Sequence, residues 1–246
     1  MIVGLRKSLG FALAGALFFA AGPAPAGAKR PVVVELYTSQ GCNTCPPADA
    51  LLGRLAERKD IIAMSLPITY WDMLGWKDTL ASEANTRRQK AYAEAMGRGG
   101  VYTPQMIVDG ISDVVGGREA AVQAAIDARL ADMRAIPVAL NATPQTIHVA
   151  IGAGPVRTGE EDTIWMFRIA GKATVNIGAG ENEGHSLTYY RIVREVKAIG
   201  LWRGQALTID LPRTEAANAA RDTFAVVVQQ GGYGRIVGAA AVSGPD

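Results

Sequence analysis

The hydrophobic period of this chain changes once, near Pro137, and one regular architecture does not accommodate both patterns. Before that point strand and helix signals alternate. Residues 32–37 form a β-branched run that reads as a strand, a helix-like stretch with Asp49, Leu51, Leu52 and Leu55 follows, and residues 61–66 read as a second strand. Residues 82–96, rich in Ala, Glu, Arg, Gln and Lys, read as a helix stopped by Gly97. Residues 105–108 turn at Asp109-Gly110 into 111–115, and 118–134 set Ala121, Val122, Ala125, Ile126 and Leu130 on one helical stripe. That order predicts an α/β layer arrangement.

After Pro137 the helical signals nearly vanish. Short alternating runs replace them: Ile147/Val149/Ile151, 164–169, 173–177, 187–196, 206–211, 224–228 and 235–240, separated by turns such as Gly178-Ala179-Gly180 and Gly231-Gly232. Strands at that spacing predict an antiparallel all-β sandwich. The expected division is therefore a signal segment at 1–28, an α/β domain at 29–136 with a helical insertion around 74–98, and a sandwich domain at 137–246. The signal reading rests on Arg6 and Lys7, the apolar stretch 9–21, the small residues Ala24-Pro25-Ala26-Gly27-Ala28 and the lack of any acidic group in this stretch. The apolar stretch is shorter than the roughly 20 residues that span a bilayer, so cleavage, export to the periplasm or medium and no membrane insertion afterwards are expected. The full chain has 25 Lys+Arg against 23 Asp+Glu, and losing Arg6 and Lys7 leaves it neutral. Neutrality without a clustered basic face argues against nucleic acid as a partner.

Cys42-Asn43-Thr44-Cys45 holds both cysteines of the chain, at the junction of the first strand with the first helix. A disulfide closing so short a loop constrains the unfolded chain by only about 2 kcal/mol, against about 4.7 kcal/mol for a hundred-residue loop. It is a weak staple, which favours dithiol–disulfide exchange over structural bracing. Cys42, on the loop, is the candidate nucleophile and is expected to face solvent; Cys45, one turn in, is the candidate buried resolving thiol. An inert disulfide remains open, and so does Cu(I) held by the two thiolates. Zinc finds too few ligands, because the two histidines, His148 and His185, lie in the other half. His148 alternates with apolar neighbours and is expected to face solvent; His185 sits in a polar loop. No cofactor is implied, and the second half offers no catalytic constellation.

The strand, two-cysteine turn and helix, with Thr103-Pro104 some sixty residues on before another strand, resemble the thioredoxin superfamily. More closely, Val34-Glu35-Leu36-Tyr37-Thr38-Ser39-Gln40-Gly41-Cys42, Cys45-Pro46-Pro47-Ala48-Asp49, Tyr70-Trp71-Asp72, Leu74-Gly75-Trp76-Lys77-Asp78, Arg88-Gln89 and Val101-Tyr102-Thr103-Pro104-Gln105 resemble an uncharacterised family of secreted, thioredoxin-like bacterial proteins. The resemblance implies a thioredoxin-like first domain and a thiol–disulfide oxidoreductase acting on exported protein thiols and disulfides with a redox partner. It also implies a cis Pro104 packed against the cysteines, with Thr103 at a backbone edge for substrate. Glu35 would be the buried carboxylate under the pair that relays protons to Cys45. Tyr70, Trp71 and Trp76 are candidates for a groove beside the cysteines, with core packing as the alternative. Two departures stand out: Gly41, not an aromatic, precedes Cys42, and Pro46-Pro47 remove two N–H donors from the helix start. A copper carrier and a non-catalytic binding module on the same scaffold stay as alternatives.

Overall fold

The computed structural model describes residues 30–132, 135–156, 160–213 and 222–244, so the candidate signal segment lies outside the described residues. The protein is a mixed α/β structure with one large sheet. Its elements run β1 (Val32–Thr38), α1 (Pro46–Leu55), β2 (Ile61–Pro67), a 3-10 turn (Asp72–Leu74), α2 (Glu83–Ala95), β3 (Gln105–Val108), β4 (Ser112–Val115) and α3 (Glu119–Leu130). The second half adds β5 (Val138–Ala142), β6 (Thr146–Ile151), β7 (Asp162–Asn176), β8 (Ser186–Trp202), β9 (Leu207–Pro212), β10 (Thr223–Gln230) and β11 (Ile236–Ser243).

Every side chain of β1 is buried, because this strand lies between β2, parallel to it, and β3, antiparallel. Its two faces serve two cores. Val32, Val34 and Leu36 meet Ala48, Leu51, Leu52 and Leu55 of α1 with Val122 and Ile126 of α3. Val33 and Tyr37 face the other way, onto Tyr92 of α2 and Phe167, Ala225, Val227, Ile236 and Ala239 of the second half.

The two halves meet at this point. The order β11-β10-β7-β8-β2-β1-β3-β4 is a single eight-stranded sheet, in which β8 joins β2 in parallel at Ile192 and Ser65. Since Ala225, Val227 and Ile236 share a core with Val33 and Tyr37, the sheet curls so that its later strands cover the β1 face left open by α1. The hydrogen bond from Ile236 N–H to the Asp109 carbonyl closes the curl (2.9 Å). What remains of the sandwich is a three-stranded sheet, β5-β6-β9, whose Ile147, Val149 and Ile151 pack on Ile164, Met166, Trp202, Phe224, Val226 and Val228. The halves are joined because the alternating residues of β7 and β10 are apolar on both sides: one set faces the small sheet, the other the α/β half.

Helix starts follow local chemistry. In α1, Pro46 at the first helical position loses no intrahelical bond, and Asp49 lies in the first turn. In α2, the Ser82 hydroxyl accepts from Asn85 N–H at 3.2 Å. The inward face of α2 is polar and is buried through pairing. Arg88 meets Glu35 at 2.6 and 3.0 Å, Gln229 at 3.0 Å and the Tyr92 hydroxyl at 3.1 Å. Tyr92, Trp165, Phe167 and Tyr233 surround its guanidinium with ring centroids 4.9–5.6 Å away.

The candidate disulfide site under a hairpin cap

β1 delivers the chain to a tight turn in which Cys42 N–H bonds the Ser39 carbonyl (3.2 Å) and Cys45 N–H bonds the Cys42 carbonyl (3.2 Å). Cys45 caps α1: its carbonyl accepts Ala48 N–H at 2.9 Å and Asp49 N–H at 3.1 Å. Cys42 and Cys45 are joined as a disulfide with Cα atoms 5.4 Å apart. The side facing back along the chain is held by Asp78, whose carboxylate accepts Gln40 N–H (2.8 Å), Leu80 N–H (2.8 Å) and Ala81 N–H (3.1 Å).

Cys42 does not face solvent. Both cysteines have 0% exposure, which overturns the expectation of an accessible first sulfur. The loop that joins β7 to β8 is bonded to the backbone of this turn. Asn182, itself buried, donates through Nδ2 to the carbonyls of Gln40 and Cys42, each at 2.9 Å, and Glu181 accepts Asn43 N–H at 3.1 Å. Gly178 and Gly180 let this loop lie on Trp76; a Cβ at Gly178 would come within 2.8 Å of its ring. Trp76 in turn donates to the Gln40 side chain at 2.8 Å. Loop, indole and cysteine turn therefore form one packed unit built from residues about 140 positions apart in sequence.

The other predicted residues fall in several places. Glu35 is fully buried but lies on the β1 face opposite α1, tied to Arg88, to Tyr92 (2.6 Å) and to Tyr37 (3.1 Å). Strand alternation sends it away from the helix that carries Cys45, so it is not brought under the pair. Asp49 is the carboxyl on that side. It is 5% exposed, four residues after Cys45 on the same helix face, and accepts from the Thr38 hydroxyl at 3.1 Å through one oxygen. Its other oxygen, Oδ1, finds no hydrogen-bond partner among the described residues. Burial drives its pKa well above the carboxylate range; the Thr38 bond opposes that rise and the nearby Asp78 adds to it. Asp78 is raised by burial in the same way, against the hydrogen bonds from Gln40 and Leu80. An open cavity of ≈340 Å³, lined by Pro46, Asp49, Gly53, Ser186, Thr188 and Tyr190, runs between α1 and β8 beside this carboxyl.

The Thr103–Pro104 bond is cis, and Pro104 is buried. Pro104 and Ala48, three residues beyond Cys45, close on the same point: a Cβ at Gly116 would lie 3.0 Å from the Ala48 Cβ and 3.3 Å from the Pro104 Cβ. The Pro104 carbonyl is already used, accepting Gly116 N–H at 2.9 Å. Trp71 and Thr103 are brought together by an indole-to-hydroxyl bond of 2.8 Å, while Tyr70 packs against the core shared by both halves. His185 is exposed in the covering loop, its ring nitrogen 3.2 Å from the Asn182 carbonyl, and His148 pairs with Asp210 at 2.7 Å. Among the described residues there is no group of three or more His, Cys, Asp or Glu placed to hold a metal ion, and no helix long and apolar enough to cross a membrane. Sequence reasoning left out Asn182, Glu181 and Gln40 as site residues. The one signal available was that the loop carrying the first two is polar and rich in glycine, a pattern that also fits a plain turn.

Comparison with solved structures finds protein AGR_C_4864 from Agrobacterium tumefaciens, 33% identical over 87% of this chain and 95% of the other, with a TM-score of 0.76. HBP35 of Porphyromonas gingivalis is similar in fold, with a TM-score of 0.65 and 15% identity over 88% of this chain and 76% of the other. No curated protein matches the chain. A family model described as a protein of unknown function (DUF1223) matches residues 33–229, most of the length, and the chain therefore belongs to the DUF1223 family.

Proposed function

We propose that this protein is an exported, thioredoxin-like thiol–disulfide oxidoreductase in which Cys42 and Cys45 exchange with protein thiols and disulfides. The observation that carries the reading is a disulfide formed by the only two cysteines of the chain, closing a four-residue turn at a strand–helix junction. Such a bridge braces the unfolded chain weakly, so chemistry is the better account of it. In the exchange, a substrate thiolate attacks Cys42 Sγ, the Cys42–Cys45 bond breaks and Cys45 leaves as a thiolate. Asp49, one turn on, with its affinity for a proton raised by burial, gives Cys45 its proton. A second substrate thiol then displaces Cys42, leaving the substrate oxidised and the pair reduced; the reverse sequence reduces a substrate disulfide.

Because both cysteines are buried, the chemistry requires the site to open, and the β7–β8 loop bonded to the cysteine turn is the segment placed to move. The test is covalent trapping. Cys45→Ser, incubated folded with oxidised glutathione, is expected to take up one glutathione per chain at Cys42, read by mass spectrometry. No adduct on folded protein returns the pair to a structural disulfide. A Cu(I) carrier instead predicts one Cu(I) bound per reduced wild-type chain and none in either single cysteine variant.

A further inference from the structure

The loop between β7 and β8 is bonded to the cysteine turn itself. It satisfies three backbone groups of the cysteine turn: the carbonyls of Gln40 and Cys42, through Asn182, and the N–H of Asn43, through Glu181. A polypeptide docking beside Cys42 would meet these same groups, the Cys42 carbonyl also accepting Cys45 N–H within the turn. The loop is also braced from within. Ile177 N–H bonds the His185 carbonyl (2.9 Å), Gly184 N–H bonds the Ile177 carbonyl (2.9 Å), and Glu183 N–H bonds the Gly180 carbonyl (3.1 Å). Its attachments to the cysteine turn are the three hydrogen bonds of Asn182 and Glu181, with Gly178 and Gly180 resting on Trp76 beside it.

The arms below it are shaped for bending. Ala170 pairs with Ile192 and Lys172 with Tyr190, which leaves Gly171 opposite Arg191. Arg191 holds φ at 51°, a left-handed conformation that L residues rarely adopt, in the middle of a long strand. Beyond that point the hairpin rests on Leu80 through Ala173, Val175 and Leu187. A cap braced within, joined to the cysteine turn by three side-chain hydrogen bonds and carried beyond a bend has a defined set of contacts to give up when the site opens.

We infer that the β7–β8 loop is an intramolecular stand-in for the protein partner: it occupies the docking face of the Cys42–Cys45 disulfide, and a partner segment gains access by replacing the Asn182 and Glu181 contacts. The partner is a polypeptide that supplies N–H donors to the Gln40 and Cys42 carbonyls and an oxygen acceptor to Asn43 N–H. This rests on the exchange function proposed above and adds its regulation.

The test measures reduction of the folded protein by a trialkylphosphine under native conditions, followed by alkylation and mass spectrometry, for wild type, Asn182→Ala and Glu181→Ala. Asn182→Ala is expected to speed reduction by about tenfold or more, the factor that a lost hydrogen bond or two sets, with the melting temperature within a few degrees of wild type. Glu181→Ala, at an exposed side chain that accepts one hydrogen bond, is expected to speed it by a smaller factor. Amide exchange gives an independent readout: Asn43 N–H should exchange faster in both variants while the β1 amides keep their protection. Equal reduction rates in all three proteins, with Cys45→Ser still trapping glutathione, overturn the cap and leave the exchange function standing. Reduction in all three only where the fold itself melts overturns both.

Discussion

Asp49 and Glu35 show how one register position separates two buried carboxylates. Glu35 was the legible candidate, seven residues before Cys42 in a strand, but it is compensated by Arg88, Tyr37 and Tyr92 on the far side of β1. Removing Arg88 would leave that charge buried and unpaired, so Arg88→Ala is expected to cost about 3–5 kcal/mol in denaturant unfolding. Glu35→Gln/Arg88→Met should recover a large part of the loss. Asp49, read only as a helix residue, has a single hydroxyl for compensation. Its folded-state pKa lies above the unfolded value of about 3.9, so the fold binds this proton more tightly than the unfolded chain does. Its contribution is therefore most favourable below that unfolded value and is lost as pH rises toward the folded one. Asp49→Asn is expected to raise the melting temperature at pH 7.5 while leaving it nearly unchanged at pH 4, checked by calorimetry at both. The same variant should slow the exchange step at Cys45.

At the scale of elements, local period told most of the first half. The strands and helices around 32–37, 61–66, 82–96, 105–115 and 118–134 correspond to β1, β2, α2, β3, β4 and α3, because each carries its own hydrophobic pattern. β5 was missed: Val138–Ala142 is half exposed and carries apolar residues on both faces, which leaves a faint alternation. β7 was read as two strands because Gly171 and Lys172 interrupt its apolar run, yet the pairing with β8 continues on both sides of them. That continuity is what extends the hairpin far enough to set its loop on the cysteine turn. The arm is seated on α1 at Gly53, where a Cβ would come 2.8 Å from the Tyr190 ring. Gly53→Val is expected to destabilise the protein by about 1–3 kcal/mol through overpacking, and Tyr190→Ala in the same chain should return part of it, both measured by thermal denaturation.

At the scale of the whole molecule, the change of period at Pro137 is a change of local pattern and not a break in the fold. Strand pairing between segments more than a hundred residues apart leaves no mark on local hydrophobicity, so neither the eight-stranded sheet nor the cap over Cys42 could be read from either half alone. The β1 face bearing Val33, Tyr37 and Glu35 is completed by Phe167, Ala225, Val227 and Gln229. A fragment of residues 29–136 is accordingly expected to lack a cooperative thermal transition, whereas a self-standing domain would show one by circular dichroism. The same joint construction puts the cap and the disulfide on different halves, so exchange at Cys42 and the integrity of the whole sheet are separable measurements. The decisive one is a titration of the intact protein in buffers of reduced and oxidised dithiothreitol, scoring the Cys42–Cys45 bond by alkylation while near-ultraviolet circular dichroism follows the fold. Exchange at the pair predicts a reversible two-electron transition of the disulfide with the aromatic signal retained; a disulfide that yields only together with that signal contradicts it.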